Sequence, residues 1–255
     1  MSLHIDIAWL LATILVSVRI AGATMLIPVF GPTRVPATAR VVLAVSLSAF
    51  LVASLPQSFT AITNAVEFAS AAAMELLIGM AFAFGFLAPY AATQVAGRAL
   101  DIQIGFGAAG VLNPATQTHS PLLGSVFGML AICTFLAMDG HLLLIRALAA
   151  SMSSMPPGSH LGEIAPQLIL KHSATIFTFG LSLAGPVMFL LLLSDIAMAV
   201  FARSMPQLNV FVLGFAIKIV LGLTGIAIGV KFAGALFESL FATSFNYWDQ
   251  LAVRP

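Results

Sequence analysis

Apolar residues dominate six stretches of the chain, separated by short segments rich in proline, glycine, serine or arginine. The stretches cover roughly residues 7–30, 41–55, 68–90, 122–150, 174–201 and 208–237. A helix needs about 20 apolar residues to cross the hydrocarbon core of a membrane, and a helix satisfies its own backbone hydrogen bonds there. The pattern therefore predicts an all-α polytopic membrane protein, built from long apolar helices and helical hairpins.

Two of the six stretches depart from a simple span. The second, 41–55, is short, and the fourth is interrupted by Asp139, Gly140 and His141. Both are interpreted as half-spans, bends or hairpins. The sequence Ser-Ser-Met-Pro-Pro-Gly at 153–158 is the clearest break. It predicts a single domain, 1–255, with a longer part at 1–158 and a C-terminal helical pair at 159–255.

The arginines suggest an orientation. They follow the first, third and fifth stretches, at Arg34, Arg40, Arg98 and Arg203, whereas 56–67 and 151–163 contain no Lys or Arg. The positive-inside rule then places the arginine loops in the cytoplasm and both termini outside, with six crossings. Because Arg19 interrupts the first stretch and no Lys or Arg precedes that stretch, we expect this segment to be retained rather than cleaved.

Composition restricts the class of protein. The 255 residues are 60% hydrophobic and only 7% charged, with a mean hydropathy of +1.09, whereas soluble domains carry about a quarter charged residues. The net charge of +1 gives no electrostatic basis for binding nucleic acid. The single cysteine, Cys133, excludes disulfide frameworks, and its apolar neighbours predict a buried position.

Several ionisable residues lie within the apolar stretches, where a charge costs about 2.5–3.5 kcal/mol on insertion scales. They are Arg19, Glu75, Asp195, Lys218 and Lys231. They allow two interpretations, an ion or proton pathway, or pairing between helices or subunits that fixes assembly. Gly225 and Gly229 form a GxxxG pair that would let helix backbones approach closely.

No catalytic signature is found in the sequence. A P-loop, GxSxG and HExxH are absent, and the five histidines show no zinc-site spacing. The GxGxxG at 105–110 lacks the strand–helix context that a dinucleotide site requires. The chain is therefore not expected to be an enzyme or to hold a cofactor or metal.

A glycine-rich, weakly polar insert, DIQIGFGAAGVLNPATQTHSP at 101–121, separates the third and fourth stretches. Its glycines permit backbone conformations that other residues reach only with strain, and Asn113-Pro114 adds a turn signal. Between two membrane helices, such a segment is either an ordinary connecting loop or a lid or plug over a passage.

An ordered set of motifs resembles the FliR family, the R subunit of the flagellar type III export gate. The set comprises the glycine-rich insert, the NP turn, DGHLLL-R from Asp139 to Arg146, the later PPG, and the segments FGPTRVPATAR at 30–40 and ARSMPQLNVFVLGFAIKI at 202–219. The apolar stretches and the length agree as well. The resemblance covers nearly the whole chain.

The resemblance implies a pore component of a helical hetero-oligomeric channel in the bacterial inner membrane. One copy would assemble with several P-type and Q-type subunits (FliP and FliQ) and with the B-type switch subunit (FlhB), to export unfolded flagellar proteins. The part at 1–158 would be P-like and the pair at 159–255 Q-like. Much of such a gate is raised towards the periplasm, so the six-span topology would describe insertion better than the final geometry.

The resemblance also assigns roles to residues. The plug would comprise Ile104, Gly105, Phe106, Gly107, Ala108, Ala109, Gly110, Val111, Leu112 and Asn113. Phe106, Val111 and Leu112 would occlude the channel, since apolar groups seal a pore by excluding water. Arg19, Glu75, Asp195, Lys218, Gly225 and Gly229 would serve assembly and packing.

Three other interpretations remain open at this point. The related subunit of a virulence injectisome shares the fold, although the DGH element favours the flagellar system. An ion-coupled small-molecule transporter could use Glu75, Asp195 and Lys218. A purely structural assembly scaffold would need no plug.

Overall fold

Seven α-helices make up most of the part of the chain that our computed structural model describes, residues 7–30, 35–54, 64–106, 121–158, 166–205 and 210–252. They are α1 (Ile7–Met25), α2 (Ala37–Ala53), α3 (Ala65–Ile104), α4 (Leu122–Ala137), α5 (Gly140–Ser154), α6 (Pro166–Ser204) and α7 (Val210–Ala252), with a short 3-10 turn at Pro28–Phe30. No strand occurs within these residues, so the predicted all-α class is confirmed.

Four helices are long and apolar enough to cross a membrane: α1, α3, α6 and α7. The pair α4 and α5 would add a fifth crossing if it forms one broken span, and α2, with 17 residues, is shorter than a span. The expected count of six crossings is therefore too high for the described residues. The short second stretch and the interrupted fourth stretch account for the difference.

The interruption in the fourth stretch is confirmed as a bend. The axes of α4 and α5 differ by 65°. Asp139, which precedes α5, has φ 55°, in the left-handed region, a conformation that Asp tolerates better than most residues. Gly140 then opens α5. The adjacent residues Asp139 and Gly140 thus account for the bend.

The third stretch extends further than its composition predicted. We expected it to end near Pro89, but α3 continues through that proline for 40 residues in all, to Ile104. At 1.5 Å per residue its length is about 60 Å. Arg98 consequently lies within α3 and not in a loop, which removes one of the arginines that supported the predicted orientation.

The chain divides into two compact units. The first comprises 1–87, 139–172 and 243–255, and the second comprises 88–138 and 173–242. These units interleave along the sequence and do not follow the break at 153–158. The division into parts at 1–158 and 159–255 therefore stays a prediction.

Each unit has an apolar core of its own. In the first, residues of α1 and α2 pack with one residue of α5: Ala12, Val16, Ile20, Ala44, Leu51, Val52 and Met152. In the second, α3, α4 and α6 contribute Ala96, Leu100, Ile104, Leu123, Phe127, Ala184, Val187 and Leu191. Small residues among them allow the helices to approach closely.

Two glycines of α3 mark the closest approaches between helices. A Cβ added to Gly79 would overlap the carbonyl oxygen of Arg19 in α1. A Cβ added to Gly97 would overlap the backbone of Leu123 and Gly124 in α4. Backbone atoms cannot yield as a flexible side chain can, so both positions require glycine.

We predict that Gly97→Ala lowers the free energy of unfolding. Overpacking costs about 2 kcal/mol, which exceeds the roughly 1 kcal/mol that alanine gains over glycine as a helix former. Thermal unfolding of the protein in mild detergent measures the effect. Gly185→Ala is the matched control, because a Cβ there meets no atom within 4 Å. Equal behaviour of the two variants would contradict the packing argument.

Candidate functional site

Arg19 of α1 and Glu75 of α3 form a buried ion pair within the first unit. Nε of Arg19 donates to Oε2 of Glu75 at 2.5 Å, and Nη2 donates to Oε1 at 3.0 Å. Arg19 is 0% exposed and Glu75 is 1% exposed. Two parallel hydrogen bonds of this kind fix the geometry of a guanidinium against a carboxylate. Gly79, one turn beyond Glu75, leaves room for α1 to come this close.

The remaining N–H groups of Arg19 also have acceptors. Nη1 donates to Oγ of Ser151 at 3.0 Å and to the sulfur of Met152 at 3.4 Å, and Nη2 donates to the carbonyl of Met155 at 2.9 Å. A guanidinium has five N–H donors, and all five are therefore used. One side chain thus joins α1, α3, α5 and the segment that follows α5.

Glu75 also accepts a hydrogen bond from a residue outside the ion pair. Its Oε1 accepts a hydrogen bond from the backbone N–H of Gly158 at 3.2 Å. The predicted break at 153–158 is therefore fastened to the same ion pair. A buried charge pair with satisfied hydrogen bonds stabilises one arrangement of helices, and it offers no vacant donor on Arg19 to a passing ion.

The second pair of predicted charges is more exposed and lies in the second unit. Nζ of Lys218 in α7 lies 2.6 Å from Oδ1 of Asp195 in α6, with 26% of the lysine side chain and 40% of the aspartate side chain exposed. The pair lines an open cavity of about 240 Å³. Ile104, Gly105 and Phe215 line the same cavity, so the pair lies beside the start of the glycine-rich insert.

Three of the ten predicted plug residues are described. Ile104 ends α3 and is fully buried in the core of the second unit, and the half-buried Phe106 packs against that core. Gly105 has φ 103°, and a Cβ there would lie 2.6 Å from the ring of Phe215. The positive φ favours glycine at this position, and the Phe215 ring lies close beside it. The other predicted plug residues, 107–113, lie outside the described residues.

Asp101 fastens the two sides of the insert and was not singled out from the sequence. Both of its carboxylate oxygens lie 3.1 Å from the backbone nitrogen of Leu123, in the first turn of α4. The first N–H groups of a helix lack partners within the helix and favour a negative charge. Pro121, which precedes α4, has no side-chain acceptor to serve as a cap. That proline, 20 residues after a lone aspartate, is the signal that sequence reasoning could have used.

Of the two glycines in the predicted GxxxG pair, only Gly225 packs against another described helix of the chain. A Cβ on Gly225 would lie 3.3 Å from Leu190 and 3.4 Å from Val187, both in α6, whereas a Cβ on Gly229 meets nothing within 4 Å. Gly222 makes the tighter contact, since a Cβ there would lie 2.5 Å from Ile104. Of these three glycines of α7, Gly222 therefore makes the closest contact, at the end of α3.

The remaining candidates are dispersed. Lys231 is exposed on α7. Cys133 is exposed on α4, so its predicted burial is wrong, because an apolar neighbourhood in sequence does not distinguish a core from a lipid-facing surface. Among the described residues, no group of three or more His, Cys, Asp or Glu side chains could hold a metal ion.

Long apolar helices, tied by ion pairs within their apolar segments, define a polytopic helical membrane protein. Residues 10–244 match the sequence model of the family described as bacterial export proteins, family 1, and the chain belongs to that family.

Proteins named flagellar biosynthetic protein FliR are similar to most of the chain. The protein of Escherichia coli (strain K12) is 31% identical over 235 residues, which cover 89% of this chain and 87% of that protein. The protein of Bacillus subtilis (strain 168) is 30% identical over 212 residues, 82% of each chain. The resemblance to the FliR family is thereby confirmed.

A protein with a different name is also similar to this chain. The secretion system apparatus protein SsaT of Salmonella typhimurium is 27% identical over 163 residues, 62% of each chain. This likeness covers less of the chain than the likeness to the two flagellar proteins.

We predict that Arg19→Met strongly destabilises the protein, because the Glu75 carboxylate is left buried without its partner. Breaking a buried ion pair from one side costs about 3–5 kcal/mol. Replacing both residues, Arg19→Met with Glu75→Leu, should recover most of this loss. Unfolding in detergent, followed by circular dichroism, measures all three proteins.

The half-buried pair of Lys218 and Asp195 provides the control, with 26% and 40% of its side chains exposed. Lys218→Met should cost less than Arg19→Met, because the Asp195 carboxylate that it leaves without its partner is only partly buried. If Arg19→Met cost no more than Lys218→Met, the buried network would not have the structural importance described above.

Proposed function

We propose that this protein is a non-enzymatic, channel-forming gate subunit of the flagellar type III protein export apparatus, in the bacterial inner membrane at the flagellar basal body. The observation that carries the proposal is the similarity to the Escherichia coli protein over 89% of this chain. Membership of a family of export proteins and four helices of spanning length support it.

The proposed partners are P-type and Q-type gate subunits (FliP and FliQ), the B-type switch subunit (FlhB) and the unfolded flagellar proteins that pass through the gate. The long helices α6 and α7 support a role within an assembly. Their large apolar side chains are widely exposed, including Phe177, Phe189 and Phe232 at 75%, 62% and 74%. Such surfaces need lipid or other apolar helices against them.

Within this gate, residues 104–113 act as the plug. Two contacts of the described residues support this role, because they fix the position where the plug begins. Asp101 ties the end of α3 to the start of α4, and Ile104 is buried in the core of the second unit. Gly105 then turns the chain out of the helix. Ile104 therefore serves as the anchor of the plug, and Phe106, Val111 and Leu112 are the proposed occluding side chains.

The corresponding subunit of a virulence injectisome is the second candidate, and the similarity to SsaT favours it. The coverage of 62%, against 89% for the Escherichia coli protein, weighs towards the flagellar system. The genes beside the one for this chain would separate the two. An ion-coupled transporter is less well supported, since Glu75 is paired with Arg19 and Asp195 with Lys218.

We predict that the protein, co-expressed with P-type and Q-type subunits and purified in mild detergent, forms a hetero-oligomer containing one copy of this chain. Native mass spectrometry measures the composition directly. A stable monomer or homo-oligomer that ignores those partners would contradict the gate proposal and would favour the transporter.

Deletion of 105–110 is predicted to raise ion leakage through the assembled gate, because it removes the glycines and one occluding side chain. Leakage is measured as the conductance of cells that express the complete gate, after assembly has been verified by native mass spectrometry. Deletion of 114–119 shortens the insert equally but spares the proposed plug, and it should leave the conductance low. Unchanged conductance after deletion of 105–110, in a correctly assembled gate, would refute the plug.

A further inference from the structure

The helix α3 runs without interruption through Pro89, although proline breaks the hydrogen-bond pattern of a helix. Pro89 has no N–H, so it cannot donate to the carbonyl four residues earlier, which belongs to Gly85. Gly85 and Pro89 are both buried. A buried carbonyl without a donor is costly, and native proteins nearly always provide a partner from elsewhere.

His172 of α6 provides that partner. Its Nε2 lies 3.1 Å from the carbonyl oxygen of Gly85, and the residue is only 4% exposed. Because a carbonyl oxygen can only accept, Nε2 must carry the proton. The side chain of His172 thus stands in the place of the backbone N–H that Pro89 lacks.

Aromatic residues of the first unit hold the imidazole in position. The ring of Tyr247 in α7 stacks on it, with 4.4 Å between ring centroids and 21° between planes. Phe84 contacts it edge-on, at 5.7 Å and 74°. This arrangement leaves the imidazole little freedom to turn away from Gly85.

Two further donors reach the same turn of α3. The hydroxyl of Tyr247 donates to the carbonyl of Ala81 at 3.0 Å, and Nε1 of Trp248 donates to the carbonyl of Phe82 at 2.8 Å. A Cβ on Gly85 would overlap the indole of Trp248, so glycine is needed for the indole to lie against the helix. Three side chains therefore converge on the turn that precedes the proline.

We propose that His172 is a positioning residue of α3: it supplies the hydrogen bond that Pro89 removes, and thereby keeps the helix continuous across the proline. The rings of Tyr247 and Phe84 hold its imidazole in position. The inference does not depend on the plug, because it concerns the helix that leads to the insert and not the insert itself.

The proposal requires that His172 and Pro89 be energetically coupled. In the presence of Pro89, His172→Leu leaves the Gly85 carbonyl unpaired and should lower the folding equilibrium constant about tenfold. In the Pro89→Ala background the backbone supplies the N–H, and the same change should cost less than about twofold. His172→Gln retains a side-chain N–H donor and should recover part of the loss.

Pro186, which lies inside α6, provides the matched control. Pro186→Ala should leave the cost of His172→Leu unchanged. An equal cost of His172→Leu in the original and Pro89→Ala backgrounds would overturn the proposal, as would a negligible cost in the original background. All variants are compared as full-length protein in detergent.

A second measurement reads the protonation of His172 in the unsubstituted protein. Nuclear magnetic resonance of the ¹⁵N-histidine-labelled, full-length protein reports which ring nitrogen is protonated, and His172→Gln assigns the signal. Protonated Nε2 on His172 is expected. A neutral ring protonated at Nδ1 alone would overturn the proposal, because such a ring cannot donate to Gly85.

Discussion

The structure depends on one constraint: a polar group removed from water must find its partner within the protein. The guanidinium of Arg19 meets this constraint most completely, with five acceptors drawn from α3, α5 and the segment after α5. Since each acceptor is in place only when its own helix is in place, the arginine selects one arrangement of helices. Apolar packing alone, which tolerates sliding, is less selective.

The same constraint explains where local sequence rules succeed and fail. The bend at Asp139 and Gly140 was predictable, because the residues that cause it are adjacent in the sequence. Asp139 adopts the left-handed conformation and Gly140 begins the next helix. The continuation of α3 past Pro89 was not, because its donor, His172, lies 87 residues beyond the carbonyl it satisfies. A rule that reads only neighbouring residues must end the helix at the proline.

The candidate site was predictable to a similar extent. The sequence identified Arg19 and Glu75 as charges that need partners, but their pairing over a separation of 56 residues requires the packing of α1 on α3. Asp101 was not predicted, because a single aspartate beside a glycine-rich segment resembles a surface residue. Its role as the acceptor for the first turn of α4 depends on the absence of a side-chain cap at Pro121. The GxxxG pattern indicated close packing on α7, but the tight contact lies at Gly222.

The fastening of Asp101 to Leu123 also bears on how the insert can vary. The two residues are 22 positions apart, and their hydrogen bonds tie the last turn of α3 to the first turn of α4. The distance between these two helix ends is therefore set by one carboxylate and does not depend on the number of residues at 107–120. Natural variation in the length of that segment can leave the packing of α3 on α4 unchanged.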